Sequence, residues 1–179
     1  MVDDNDSAFV RQTLGGDLHA FEILFERYQK QIFNTIARIV GDYDDATDVT
    51  QNTFIKAYQN LKRYDEKFKF FSWLYRIAVN ESLNFLKSRR RDEEADETLR
   101  TDDRQPDELV LDSERDRRVR DGLGRLTEDQ RTVVVLFHFQ DLCYEEIAQV
   151  IGIPVTTVKS RLFEARTSLR KILATVKAE

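Results

Sequence analysis

Gly152 and Pro154 interrupt two amphipathic patterns within residues 144–172 and predict a sharp turn between two helices. The first pattern, YEEIAQVIGIP, is short, and the proline blocks its continuation while suiting the start of the next helix. In the following VTTVKSRLFEARTSLRKIL, Val158, Leu162, Ala165, Leu169 and Ile172 recur at steps of four, three, four and three, which is one apolar helical stripe. Lys159, Phe163, Arg166 and Arg170 recur with the same steps on a neighbouring face. A helix that begins after a tight turn and is basic on one flank can reach base edges and phosphates of duplex DNA. An ordinary helical hairpin with a solvated charged face shares this periodicity. The turn spacing favours the DNA reading.

The rest of the chain is also written for helices. Among 179 residues there are only 2 Pro and 6 Gly, with frequent Leu, Ile, Ala, Glu, Arg and Lys, so the expected fold is all-α, as one domain or two small ones. No apolar run reaches the length of a membrane span, and the opening MVDDNDSAFV is acidic, unlike a signal peptide. The single cysteine, Cys143, cannot form an internal disulfide and is expected as a buried or half-buried thiol in a reducing, cytoplasmic setting. His19, His138 and Cys143 are too scattered for a metal site, so no metal and no cofactor is expected. Neither a nucleophile–base pairing nor a phosphate-cradling glycine loop stands out, and no catalytic residue is assigned.

The net charge of −5 argues against a DNA binder until it is divided along the chain. Residues 1–91 carry 14 basic against 13 acidic side chains, residues 92–117 carry 4 against 12, and residues 118–179 carry 10 against 8. The acidity sits in one middle segment, and local charge governs contact with phosphate. This segment is polar, lacks aromatics and holds one of the two prolines, so 92–106 is expected to be a linker, with a helix resuming near Asp107. It reads as a solvated tether, or else as an acidic run that imitates nucleic acid in a partner's basic channel.

Three long helical patterns fill the N-terminal piece. Over 18–40, Phe21, Leu24, Phe25, Tyr28, Ile32, Ile36 and Ile39 share a face. Over 43–61, Ala46, Val49, Phe54, Ala57, Tyr58 and Leu61 form the apolar stripe, while Asp48, Gln51, Asn52 and Lys56 make a polar patch opposite. The third pattern, 70–91, has a core stripe of Phe71, Leu74, Ala78, Phe85 and Leu86. A second stripe runs through Lys69, Trp73, Arg76, Asn80, Asn84, Lys87 and Arg91. Cations to hold phosphates, an indole to stack and amides to reach bases suit a binder of single strands or duplex edges. A solvated face with Trp73 partly in the core fits the same spacing. KSRRR at 87–91 ends the helix with cations favoured by its dipole. Ahead of this helix, RYDEKFKFF at 63–71 holds four aromatics, which either staple the loop to the core or form a pocket for a base pulled from the duplex.

Three motifs in order, DATDVTQNTFIKAYQNL, FFSWLYRIAVNESLNFLKSRRR and LTEDQRTVVVLFHFQDLCYEEIAQVIGIPVTTVKSRLFEAR, carry a family likeness. Over about residues 8–174 the chain resembles the extracytoplasmic-function (ECF) group of bacterial RNA polymerase sigma factors. The resemblance implies sigma domain 2 over 1–91 and sigma domain 4 over 107–179, joined by the acidic linker 92–106. It implies that Asp48, Gln51 and Asn52 grip the clamp coiled coil of core RNA polymerase, with Asn52 standing where glutamate is usual. Arg63, Tyr64, Trp73, Asn80, Asn84 and Lys87 match the part that opens and reads the minus-ten element. Thr156, Lys159, Ser160, Arg161, Phe163 and Arg166 match the recognition helix for the minus-thirty-five element, with Glu164 where many relatives have arginine. The region around that helix typically docks on the polymerase flap.

The function so implied is promoter-specific transcription initiation, commonly in a stress response. Expected partners are core RNA polymerase, promoter DNA and an anti-sigma factor, with no insertion into a membrane. The competing expectation is a stand-alone dimeric helix-turn-helix regulator, which needs palindromic sites and no polymerase. On that view the basic-aromatic stripe of the N-terminal half goes unexplained.

Overall fold

The computed structural model describes residues 5–95 and 114–176. Among the described residues, the elements are α1 (Asp6–Leu14), α2 (Leu18–Val40), α3 (Tyr43–Asn60), a 3-10 turn (Leu61–Arg63), α4 (Phe70–Ala95), α5 (Glu114–Gly124), α6 (Glu128–His138), α7 (Tyr144–Ile151) and α8 (Val155–Val176), and no strand. The all-α expectation holds. α4 runs past the expected boundary, so residues 92–95 of the acidic segment are helical. The rest of the expected linker and a helix start near Asp107 lie outside the described residues.

Carboxylates set the helix starts. Asp17 accepts from His19 N at 3.0 Å ahead of α2, and Asp42 accepts from Asp45 N at 2.9 Å ahead of α3. Each satisfies an amide that the first helical turn leaves unbonded. Between these two helices Gly41, at φ 88°, ends α2 in the left-handed conformation, with its N–H returned to Ala37 O. Along α2, Leu24, Ile32, Ile36 and Ile39 are fully buried. They meet Ala46, Val49, Phe54, Ala57 and Leu61 from α3 and its following turn, and Phe70, Leu74, Tyr75, Ala78 and Val79 from α4. Tyr58 departs from the expected stripe. It is 45% exposed and meets Phe21 edge-on, ring centroids 5.1 Å apart, because it lies at the margin of the bundle.

α1 has no counterpart in the periodicity. It is held through Asp6, a buried carboxylate bonded by Arg27 and by the Tyr28 hydroxyl. Removing water from these groups is tolerable only because each has a partner. Burial and the neighbouring Asp6 push the Tyr28 phenol far above its ordinary range, so it remains a donor.

In the C-terminal half, Thr127 caps α6: Gln130 N donates to its Oγ1 at 3.3 Å, and Gln130 Oε1 accepts from Thr127 N. Thr132, Val133, Val134, Val135 and Leu136 are all buried, so the middle of α6 is covered all round, while Asp129 and His138 near its ends are exposed. α7 and α8 pack on it from within the module, and α2 covers it from the other module.

The two halves touch along a second line as well, where α7 lies across α4. Polar contacts seal the boundary. Lys69 Nζ meets Glu146 Oε1 at 2.9 Å, Tyr75 Oη donates to Gln140 Oε1 at 2.7 Å, and Arg90 pairs with Glu128. The Arg38 guanidinium lies over the Phe139 ring, 4.5 Å from its centroid. Burial pushes the Tyr75 phenol up to about 12, which keeps it a donor.

Candidate nucleic-acid interface

The turn predicted at Gly152 is present. Gly152 has φ 76°, and the N–H groups of Gly152 and Ile153 both return to Ala148 O, at 2.9 and 3.2 Å. Pro154 then opens α8, with its carbonyl accepting from Thr157 N and Val158 N. Val158, Leu162 and Ala165 are buried against α6 and α7, which fixes the rotation of α8 about its axis. Cys143 departs from its expected burial: it is exposed, because it stands just ahead of α7 where the chain turns. Its N–H donates to Glu146 Oε2 at 3.1 Å.

The outward side of α8 holds Thr156, Lys159, Ser160, Phe163, Glu164, Arg166 and Arg170, all exposed. Phe163 is 72% exposed, the most of any large apolar side chain described. An isolated exposed ring costs little, but one centred on a basic helix face offers apolar contact to a thymine methyl. Arg161 behaves differently from its neighbours. Its Nη2 is 2.6 Å from Asp129 Oδ2 and its side chain is only 25% exposed, so it turns back toward α6.

In the N-terminal module, the stripe along α4 divides in two. Lys69 is engaged with Glu146, and a Cβ on Gly152 would stand 3.7 Å from the Arg76 guanidinium. The start of the stripe thus faces the other module. Asn80, Asn84 and Lys87, further along, are exposed. Burial alone would raise the Glu146 carboxyl, but bonds from Lys69 and Cys143 outweigh it and hold the group below its ordinary range.

The loop ahead of α4 is also divided. Tyr64, Phe70 and Trp73 form a mutual cluster with ring centroids 5.5 to 5.6 Å apart. Phe70 is buried, and Tyr64 and Trp73 are half-buried. Tyr64 Oη donates to Phe68 O at 2.7 Å, closing the loop on itself. Two of the four loop aromatics, Tyr64 and Phe70, therefore staple the loop, while Phe68 is 53% exposed at its tip. Arg63 is exposed beside the cluster. Nothing in the spacing of the loop singles out Phe68.

Asp48, Gln51 and Asn52 lie exposed on α3. Ile55, on the next turn of the same surface, is 53% exposed and lies outside the patch expected from the sequence. Its signal was there: an isoleucine four residues after Gln51 on an otherwise polar face. Among the described residues, no group of three or more His, Cys, Asp or Glu is placed to hold a metal, and no helix is long and apolar enough to cross a membrane.

Comparison with known proteins finds two family matches along the chain. The family Sigma-70 region 2 matches residues 24–92, and Sigma-70, region 4 matches residues 116–169. The RNA polymerase sigma-H factor of Pseudomonas aeruginosa is 37% identical over 97% of this chain and 96% of its own. The ECF RNA polymerase sigma-E factor of Haemophilus influenzae is 36% identical over 90% of this chain and 91% of its own. Among solved structures, CnrH in complex with the cytosolic domain of CnrY matches at a TM-score of 0.73 and 28% identity, covering 96% of this chain and 99% of that one. The sigma factor RpoE, solved with the anti-sigma factor NepR from Bartonella quintana, matches in fold at a TM-score of 0.75 and 22% identity, covering 86% of this chain and 96% of that one. Two sigma regions in this order, and relatives matched over nearly their whole length, favour the sigma factor over the stand-alone regulator: the chain belongs to the ECF sigma factors of bacterial RNA polymerase.

Proposed function

We propose that this sigma factor holds a promoter at two points. The outward face of α8 reads the minus-thirty-five duplex through Thr156, Lys159, Ser160, Phe163 and Arg166, with Arg161 buttressing the helix from behind. The exposed part of the α4 stripe, Asn80, Asn84 and Lys87, together with Arg63, Tyr64 and Trp73, opens and holds the minus-ten strand. Asp48, Gln51 and Asn52 on α3, extended by Ile55, dock on the clamp coiled coil, and the C-terminal module docks on the flap. Sigma factors are initiation factors, and the polymerase supplies the chemistry of RNA synthesis.

The observation that carries this reading is the presence of two exposed faces suited to DNA, one on each module. The first is a basic helix face with a bare phenyl ring. The second combines amides and a cation beside an aromatic cluster. Base stacking and amide contacts suit unpaired strands, and a basic helix suits a major groove. Run-off transcription with core polymerase tests it: specific start sites should appear only when this chain is added. Transcripts that persist when both promoter elements are scrambled would overturn it.

An anti-sigma factor as regulator is supported by the two solved relatives, each captured with such a partner or with a cytosolic domain of another protein. A cytoplasmic location follows from where polymerase and promoter meet.

A further inference from the structure

Two of the exposed cations on α8 rest on aromatic rings. Lys159 Nζ lies 5.5 Å from the centroid of the Tyr144 ring, and Arg166 Cζ lies 5.1 Å from the centroid of Phe137. Those rings come from α7 and from the end of α6, and they stack on each other at 5.2 Å with planes 14° apart. Lys159 and Arg166 are seven residues apart, which puts them on one face of α8 with about 10 Å of rise between them. One cation can therefore serve each ring.

His138 completes the arrangement. Arg166 Nη2 is 3.4 Å from His138 Nε2, and the imidazole stands edge-on to Phe137 at 4.9 Å and 82°. Burial and the Arg166 charge hold the imidazole below its ordinary value, with Asp141 opposing them. Nε2 of the neutral ring accepts from the guanidinium.

The chemistry of these contacts differs from that at Arg161. A carboxylate such as Asp129 occupies the N–H donors of a guanidinium. A ring face attracts the cation through its quadrupole and leaves donors free for other partners. Long cationic side chains also lose rotamer freedom when they are fixed on DNA, and a side chain already at rest on a ring loses less.

We propose that the Phe137–Tyr144 stack is a positioning platform that orders Lys159 and Arg166 for DNA before the DNA arrives. This rests on the reading of α8 as the minus-thirty-five reader. Phe137 and Tyr144 are positioning residues and need not touch the duplex. Both are half-buried, so they also contribute to the module's core. The test must separate the ring face from the apolar bulk.

The full chain bound to core RNA polymerase is titrated with a promoter duplex selected by the wild-type holoenzyme from a random-sequence pool. Phe137→Leu and Tyr144→Leu keep bulk and remove the ring face, and each should weaken binding by about two- to fivefold. Phe137→Tyr and Tyr144→Phe, which retain the ring, should restore the affinity. In an Arg166→Ala background Phe137→Leu should cause no further loss, and Tyr144→Leu likewise in a Lys159→Ala background. Equal losses with and without the cation would mean that the rings act through stability alone, and the platform fails. Alanine variants that weaken binding while the leucine variants do nothing would also overturn the platform but leave α8 as the reader. Alanine variants without effect would overturn both.

Discussion

Arg131 reaches out of the C-terminal module and donates from Nη1 to the main-chain oxygen of Ile39, 2.7 Å away in the last turn of α2. Its Nη2 donates to Gly124 O and Leu126 O at 3.2 and 3.3 Å. One guanidinium thus joins the carbonyl ends of α2 and α5, where a cation is favoured. Burial lowers its pKa, yet a guanidinium stays charged at neutral pH. Arg131→Met keeps the apolar stem and removes all three bonds. The expected loss is about 1–3 kcal/mol of stability, read from the urea midpoint. An unchanged midpoint would mean that the three carbonyls find other partners.

On the proposed two-point reading, the two modules part on a promoter. A folded chain of this length is about 40 Å across, whereas two elements separated by two duplex turns lie on the order of 70 Å apart. A fluorescence pair placed on α3 and α8 should report a longer distance once core polymerase is added. The free protein should accordingly bind promoter DNA poorly. Equal distances, or equal promoter affinity with and without core, would refute the opening.

Acid should loosen the boundary through Glu146. Its folded pKa lies below the ordinary 4.5, so the unfolded chain takes up the proton first as pH falls. The stabilisation is therefore fully present above 4.5 and is lost as pH falls through the lower folded value. Glu146→Gln should flatten that acid limb of the stability profile. A limb of undiminished slope in this variant would assign it to other carboxylates.

Glu164 places a carboxylate among the exposed cations of α8. Glu164→Arg should raise affinity for duplexes of any sequence and steepen the log–log salt slope by about 0.9. If Glu164 accepts from a cytosine amine, the same variant should lose discrimination at one base pair of the minus-thirty-five element. A uniform gain with discrimination intact would make Glu164 a repulsive charge only.

Phe163 separates folding from binding. At 72% exposure its removal should change stability by no more than about 0.5 kcal/mol. Burying it against a base should contribute about 1.5–3 kcal/mol to binding. Phe163→Ala should thus leave the thermal midpoint in place and weaken promoter binding at least tenfold. A shifted midpoint with normal binding would reverse its role.

What the sequence disclosed was local. α2 matched its pattern because the 3.6-residue period and the Gly41 stop lie within one stretch of chain, and α8 was legible from Gly152, Pro154 and the Val158–Leu162–Ala165 stripe for the same reason. α1 was not, since its anchor Asp6 is buried by Arg27 and Tyr28, about twenty residues downstream. In the sequence the basic stripe on α4 reads as one surface, yet Lys69 and Arg76 belong to the module boundary. Their fate depends on Glu146 and Gly152, more than seventy residues away. The stack of Phe137 on Tyr144 was hidden because a turn between α6 and α7 brings the two rings together.

The middle of α6, Val133 to Leu136, is apolar all round because it serves as the floor of its own module and as the wall against α2. When the modules separate, that outer wall is bared to water. An opened chain would then show apolar surface to water unless another protein surface takes the place of α2. Whatever partner holds this sigma factor open is bound to be judged by how well it shelters that one helix.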